Sequence, residues 1–163
     1  MAGIKLDSID LNILRILQEN GKITNIQLSQ EVGLSPAPTL ERVRKLEKNG
    51  IIKSYHAALN EDILELGFTA LIQVALDRQK KDSIQNFLNH INGIHEITEC
   101  YQVTGNFDYQ LKVVVKDIPA FEALIADKLS NVEEIGQMQT MVVLSKVKQS
   151  RVLPIDYNGK LKK

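Results

Sequence analysis

Residues 24–49 read Thr24-Asn-Ile-Gln27-Leu28-Ser-Gln-Glu-Val-Gly33-Leu-Ser35-Pro36-Ala37-Pro38-Thr39-Leu40-Glu-Arg42-Val43-Arg-Lys45-Leu46-Glu-Lys48-Asn49, and the first third of the chain is organised around them. Thr24 with Gln27 three residues on is a capping box, and Ile23 with Leu28 has the spacing of a hydrophobic staple, so a helix begins at Asn25. Gly33 ends it, because glycine accepts the left-handed conformation that releases orphan carbonyls. Ser35 then opens a second helix. Pro36 stands at its first position, where a missing N–H costs nothing. Pro38 also lacks an N–H, so the Ser35 hydroxyl is predicted to cap Ala37.

In this second helix Leu40, Val43 and Leu46 form an inward stripe, and Arg42, Lys45, Lys48 and Asn49 lie elsewhere on the surface. A DNA recognition helix needs a packed back, a small-residue front that approaches base edges, and cations that meet phosphates. Ser35, Ala37, Pro38 and Thr39 supply the front, and Arg42, Lys45 and Lys48 the cations. An ordinary amphipathic helix with a solvated face has the same charges. The glycine turn between two capped helices favours DNA.

Upstream, Asp7 caps a helix from Ser8 to about Glu19, with Asp10 in its first turn, a Leu6–Leu11 staple, and an apolar side of Leu11, Ile13, Leu14, Ile16 and Leu17. Downstream, Ile51 to Leu59 is β-branched after a helix stop and reads as a strand or wing, on which Lys53 meets the DNA backbone or is simply solvated. Asn60 to Gly67 reads as a short hinge helix.

The pattern then changes. Thr69–Asp77 is a strand with Ala70, Ile72, Val74 and Leu76 on one face, and Asp82–Ile91 is a helix with Ile84, Phe87, Leu88 and Ile91 inward. His95–Val103 is a strand, Thr104–Asp108 a hairpin-type loop, and Tyr109–Val115 a third strand. Asp117–Leu129 is a helix, and Gly136–Val147 the last strand. The order βαββαβ is that of a ferredoxin-like domain, so the chain reads as α+β: a winged helix-turn-helix over 1–59, a hinge over 60–68, the ferredoxin-like domain over 69–148, and a basic tail over 149–163. Two helices cover one face of a four-stranded sheet. The last strand has Met141 and Val143 on one side and Thr140, Val142 and Leu144 on the other, so the uncovered face is expected to pair with a second copy as a two-fold dimer.

The net charge is zero but segmented. Residues 1–58 hold 8 Lys/Arg against 6 Asp/Glu, 59–145 hold 6 against 13, and 146–163 hold 6 against 1. The acidic middle is repelled by DNA, so nucleic-acid contact belongs to the ends. No apolar run spans a bilayer and nothing at the start resembles a signal peptide, which points to the cytoplasm. The single cysteine, Cys100, has no internal partner, and His90, His95 and Cys100 lack metal-site spacing. No phosphate loop, nucleophile elbow or carboxylate pair is present, so no enzyme, catalytic residue, metal or cofactor is expected.

Five motifs carry a resemblance: Leu6-Asp7-x-x-Asp10-x-x-Ile13-Leu14, Val32-Gly33-Leu34-Ser35-Pro36, Leu40-Glu41-Arg42-Val43-Arg44-Lys45-Leu46-Glu47, Gly50-Ile51-Ile52, and Thr104-Gly105-Asn106-Phe107-Asp108-Tyr109. In this order, over essentially the whole chain, they resemble the Lrp/AsnC (leucine-responsive or feast/famine) regulators, and the leucine-responsive branch most closely. The resemblance implies a transcription regulator that binds double-stranded DNA, responds to a small amino acid such as leucine, and forms dimers that assemble to octamers with the effector between dimers. It implies an effector site of Thr104, Gly105, Asn106 and Asp108, with Tyr101 on the preceding strand and Thr140, Met141 and Val142 on the last. Asp108 suits an ammonium, the Gly105–Asn106 backbone a carboxylate, and Met141 an apolar side chain. On the residues alone, Gly-Asn as a hairpin turn and Asp108 as a group that satisfies its own loop are the favoured reading, and it is the resemblance that reverses it. Two other readings stand beside the specific regulator: an architectural DNA-binding protein with little sequence preference, and an amino-acid-binding regulatory module of metabolism.

Overall fold

The computed structural model describes residues 5–78 and 80–155 of the 163. Its contacts divide the chain into two units, residues 1–58 with 148–163, and residues 59–147. The end of the basic tail, 156–163, lies outside the described residues. By sequence the first unit carries 13 Lys/Arg against 7 Asp/Glu and the second 7 against 13, so opposite charges are sorted into different units.

The first unit is built from local caps. In α1 (Ser8–Glu19), Asp7 accepts from the Asp10 backbone while the Asp10 side chain accepts from the Asp7 backbone, a complete capping box. In α2 (Asn25–Val32), Thr24 and Gln27 do the same, and Gly33 closes the helix at φ 71°, where a side chain would be strained. In α3 (Pro36–Lys48), the expected Ser35 hydroxyl cap is absent. Pro36 and Pro38 leave Ala37 as the one N–H in the first three positions, and the turn is instead fixed at the Ser35 carbonyl. That oxygen accepts from the Thr39 backbone at 3.3 Å and the Thr39 hydroxyl at 3.0 Å. Ile13, Leu14, Ile16, Leu28 and Leu46 form the core between the helices.

Beyond α3 the expected strand over 51–59 is not formed. The segment is extended but has no ladder, because among the described residues this unit offers no second strand to pair with. Its start is tied to α3 by the Ile51 and Ile52 N–H groups, which donate to the Leu46 carbonyl at 2.9 and 3.2 Å, and further along the Tyr55 hydroxyl donates to Glu47 at 3.0 Å. Burial, reinforced by that carboxylate, pushes the Tyr55 phenol up to about 12. Residues 60–67 form hydrogen-bonded turns and not a hinge helix. The Asn60 side chain caps Ile63, but Glu65 takes a left-handed φ of 56° and stops propagation after one turn.

The second unit is one antiparallel sheet, ordered β2 (Ile97–Gln102), β3 (Tyr109–Val115), β1 (Phe68–Leu76), β4 (Ile135–Val142). Helices α4 (Lys81–Asn92) and α5 (Ile118–Asp127) supply its cover. Alternation in β1 and β3 sends Ile72, Val74, Leu111 and Val113 to one side, where they are fully buried with Phe87 and Leu129. Phe87 and Tyr109 stack with ring centroids 4.8 Å apart. The last strand stops five residues before its expected end, and β1 explains this. Val142 pairs with Ala70, Val143 donates to the Thr69 carbonyl at 3.0 Å, and β1 begins one residue earlier. Leu144 and Val147 therefore lie past the sheet and are exposed.

The sheet face opposite this core is mixed. One row runs Tyr101, Gln110, Gln73, Gln139 and the next Glu99, Lys112, Leu71, Met141. Among the described residues no helix is long and apolar enough to cross a membrane. Replacing Phe87 by Ala removes the ring at the centre of the helix–sheet core and is expected to lower stability by about 3–5 kcal/mol, read as a fall in the urea midpoint of unfolding.

Candidate nucleic-acid interface and ligand loop

The front of α3 is open. Ser35, Ala37 and Pro38 are exposed, and the Asn25 side chain donates to the Pro36 carbonyl at 2.8 Å, which fixes the start of α3 against the start of α2. Nothing local in the sequence marks that bond, whose partners lie 11 residues apart. Ala37 offers its N–H and Ser35 its uncapped hydroxyl at the electropositive end of the helix.

The phase of α3 differs from expectation by one position. Its inward stripe is Thr39, Val43 and Leu46, and Leu40 is 38% exposed. Thr39 is fully buried, which removes it from the surface assigned to DNA; its hydroxyl can be buried because the Ser35 carbonyl accepts it. Opposite that stripe stand Ala37, Glu41, Arg44 and Lys48, all exposed and at helical spacing. Arg44 was missed by the sequence reading, although it lies seven residues after Ala37. Lys45 is exposed beside this row, and Lys53 is exposed on the extended segment.

Arg42 has intramolecular partners. One guanidinium nitrogen donates to Asp7 Oδ2 at 2.8 Å and to Asp10 Oδ1 at 2.7 Å. The Asp10 backbone N–H that it caps, and then Arg42, hold the Asp7 carboxyl below its ordinary range, while the two carboxylates raise Arg42.

In the second unit the loop after β2 is pinned by Asp108. Its backbone N–H donates to the Val74 carbonyl at 2.9 Å, its carbonyl accepts from Val103 at 2.9 Å, and its carboxylate accepts from the Leu76 N–H at 2.8 Å. The last bond lies at the register shift between Ala75 and Leu76. Thr104, Gly105 and Asn106 are exposed, and Gly105 has φ 122°, a conformation that favours glycine. Tyr101 is 54% exposed on the open sheet face, with its hydroxyl donating to Glu99, which also accepts from Lys112 at 2.8 Å.

The four expected effector positions on β2 and β4 do not converge on the loop within one chain. Tyr101 and Met141 share the open face but sit on opposite edge strands, while Thr140 and Val142 face the other way, opposite Ile72 and Ala70. Thr140–Val142 pair with the start of β1 and the loop is stitched to its end, a separation of roughly 14–20 Å along the strand. Among the described residues no group of three or more His, Cys, Asp or Glu is placed to hold a metal ion.

Comparison with known proteins follows the same division. Residues 6–53 match a winged helix-turn-helix DNA-binding family, and residues 69–153 match the Lrp/AsnC ligand binding domain. The leucine-responsive regulatory protein of Haemophilus influenzae is 43% identical over 148 residues, 91% of this chain and 89% of that one. The Escherichia coli K12 protein of the same name is 42% identical over 153 residues, 94% and 93%. Among solved structures, a Neisseria meningitidis transcriptional regulator in complex with L-Met superposes with a TM-score of 0.89 at 36% identity, covering 94% of this chain and 99% of that one. Escherichia coli AsnC gives 0.82 at 26%, covering 90% and 97%.

Replacing Asp108 by Ala orphans the Leu76 N–H and is expected to cost about 1–3 kcal/mol in chemical unfolding, most of it recovered by Asp108→Asn, which retains an acceptor. For Asp7 the folded value is lowered. Its charge therefore stabilises above the ordinary aspartate range, near pH 4, and the gain is lost as pH falls through the folded value. The thermal midpoint of the native chain should exceed that of Asp7→Asn at pH 7, with the gap closing in acid.

Proposed function

We propose how this chain works from one premise: it belongs to the Lrp/AsnC family of transcription regulators, with a helix-turn-helix for DNA and a domain for an amino acid. The observation that carries the reading is that the two family matches fall on the two structural units, one basic and one acidic.

In this reading α3 enters the major groove of double-stranded DNA with Ser35, Ala37 and Pro38 nearest the base edges. Lys45, Lys48 and Arg44 meet phosphates along the helix, and Lys53 meets one beyond it. A unit with a modest excess of cations binds weakly as one copy, so two copies reading two half-sites give a specific operator complex. The open sheet face supplies the pairing surface, with Leu71, Val114 and Met141 as its apolar part and the glutamine row as its polar part. Dimers then assemble further, to an octamer, in the cytoplasm.

The effector is a small apolar amino acid such as leucine or methionine. Gly105 and Asn106 offer backbone donors to its carboxylate, with Thr104 beside them, and Asp108 holds that loop in shape. Tyr101 and the Thr140, Met141 and Val142 strand are too far apart to share one ligand within a chain, so their contribution comes from a second copy at an interface. Effector binding there changes assembly and with it the spacing of paired recognition helices.

A thermal-shift screen of the full chain against the twenty amino acids tests this. A ligand at one hundred times its dissociation constant is expected to add about 2.7 kcal/mol of apparent stability, and the same amino acid should change operator affinity or sedimentation. A panel that moves none of the three readouts overturns the effector reading. Footprinting separates the architectural alternative: protection confined to a two-fold repeated site is expected, and equal affinity for random duplex at fixed salt overturns specificity.

A further inference from the structure

We infer that Arg42 is a positioning residue of the DNA-reading unit, whose guanidinium clamps α3 to the first turn of α1 and so sets the angle at which the recognition helix meets DNA, without itself taking a phosphate. The inference rests on α3 being the helix that reads DNA.

The geometry uses every carboxylate oxygen in the cluster. Asp7 gives Oδ1 to the Asp10 backbone N–H at 2.8 Å and Oδ2 to Arg42 at 2.8 Å. Asp10 gives Oδ2 to the Asp7 backbone N–H at 3.3 Å and Oδ1 to Arg42 at 2.7 Å. The arginine is therefore bonded to two side chains that are already locked by a reciprocal cap, and through them to the backbone of α1. A surface pair between two flexible side chains contributes little, because holding both in place costs conformational entropy. Here the cap has already fixed the carboxylates, and Asp10 is 8% exposed.

The packing explains why a clamp is needed. The inward stripe of α3 is short: Thr39 is polar, Val43 is half-buried, and Leu46 is its single large buried side chain. Leu46 near the C-terminal end and the Asn25–Pro36 bond at the N-terminal end hold the two ends of α3, and between them rotation about the helix axis is weakly opposed. Arg42 lies beside that stripe and away from the outer row of Ala37, Arg44 and Lys48, so its bond to α1 resists rotation and tilt together. Charge points the same way. A guanidinium held between two carboxylates presents no net positive charge to a phosphate, and pulling it towards DNA would strand the buried Asp10 carboxylate without its partner.

The test uses full-length protein, a duplex selected by it from a random pool, and random duplex, with affinities measured across a salt series. Arg42→Gln is compared with Asp7→Asn/Asp10→Asn, whose amide oxygens retain the cap, with the three substitutions combined, and with Lys45→Gln/Lys48→Gln as phosphate controls. Circular dichroism and size exclusion verify fold and assembly. Arg42→Gln is expected to lower the ratio of selected to random affinity by at least about tenfold. Its salt slope on random DNA should stay at the native value. The Asn pair should lose the same specificity although it removes two negative charges, and adding Arg42→Gln to it should cost nothing further. A slope reduced by about 0.9 in Arg42→Gln, the loss of one phosphate contact, overturns the proposal. So does tighter binding by the Asn pair to both duplexes, which a phosphate-seeking arginine released from its clamp would give. If the lysine controls leave the slope unchanged, α3 does not face the duplex, and the reading beneath the inference fails with it.

Discussion

A backbone N–H or C=O shut away from water must find a partner, and at the ends of elements the element itself cannot provide one. In this chain a few side chains answer that constraint, and the candidate surfaces lie where they do. Asp7 and Asp10 satisfy each other's backbone at the start of α1 and have two oxygens left over, which hold Arg42. Asn25 donates to the Pro36 carbonyl and sets the front of α3. Asp108 takes the Leu76 N–H where the β1 ladder shifts register, and so fixes the exposed loop Thr104–Asn106 to the sheet.

Electrostatics then sorts the work between the units. Cations gather in the unit that carries the helix-turn-helix, and the ligand-binding unit is acidic, so a polyanion such as DNA is attracted to the first and repelled by the second. Within the basic unit the cations are not equivalent. Arg44, Lys45 and Lys48 are exposed along α3, whereas Arg42 is neutralised by α1. A count of basic residues on a helix therefore overstates its unpaired charge.

Much of the fold was legible because its signals are local. Each capping box spans four residues, Gly33 follows the last periodic position of α2, and strict alternation in β1 and β3 marks their buried side. The phase of α3 was less legible. Positions 39, 43 and 46 and positions 40, 43 and 46 both make a helical stripe, and only the acceptor at the Ser35 carbonyl lets the polar Thr39 take the inner place. The site was legible as a loop and a helix but not as a constellation. Tyr101 and Thr140–Val142 are separated by the strand order β2-β3-β1-β4, which no spacing in the chain reveals.

The sequence by itself determined the three helices of the first unit, the βαββαβ order of the second, the glycine turn between α2 and α3, and the separation of charge, because capping, periodicity and composition act within a few residues of one another; the segment between the units, residues 51–67, was not legible in this way. Only the tertiary structure decided which arginine is already engaged, which threonine is buried, where β4 must stop, and which face of the sheet each candidate ligand residue occupies. Apart from the threonine, whose hydroxyl is satisfied four residues back, those outcomes depend on partners about 30 residues or more apart, or on the pairing register of a central strand, and a one-residue change of register or helix phase reverses them without altering any local pattern.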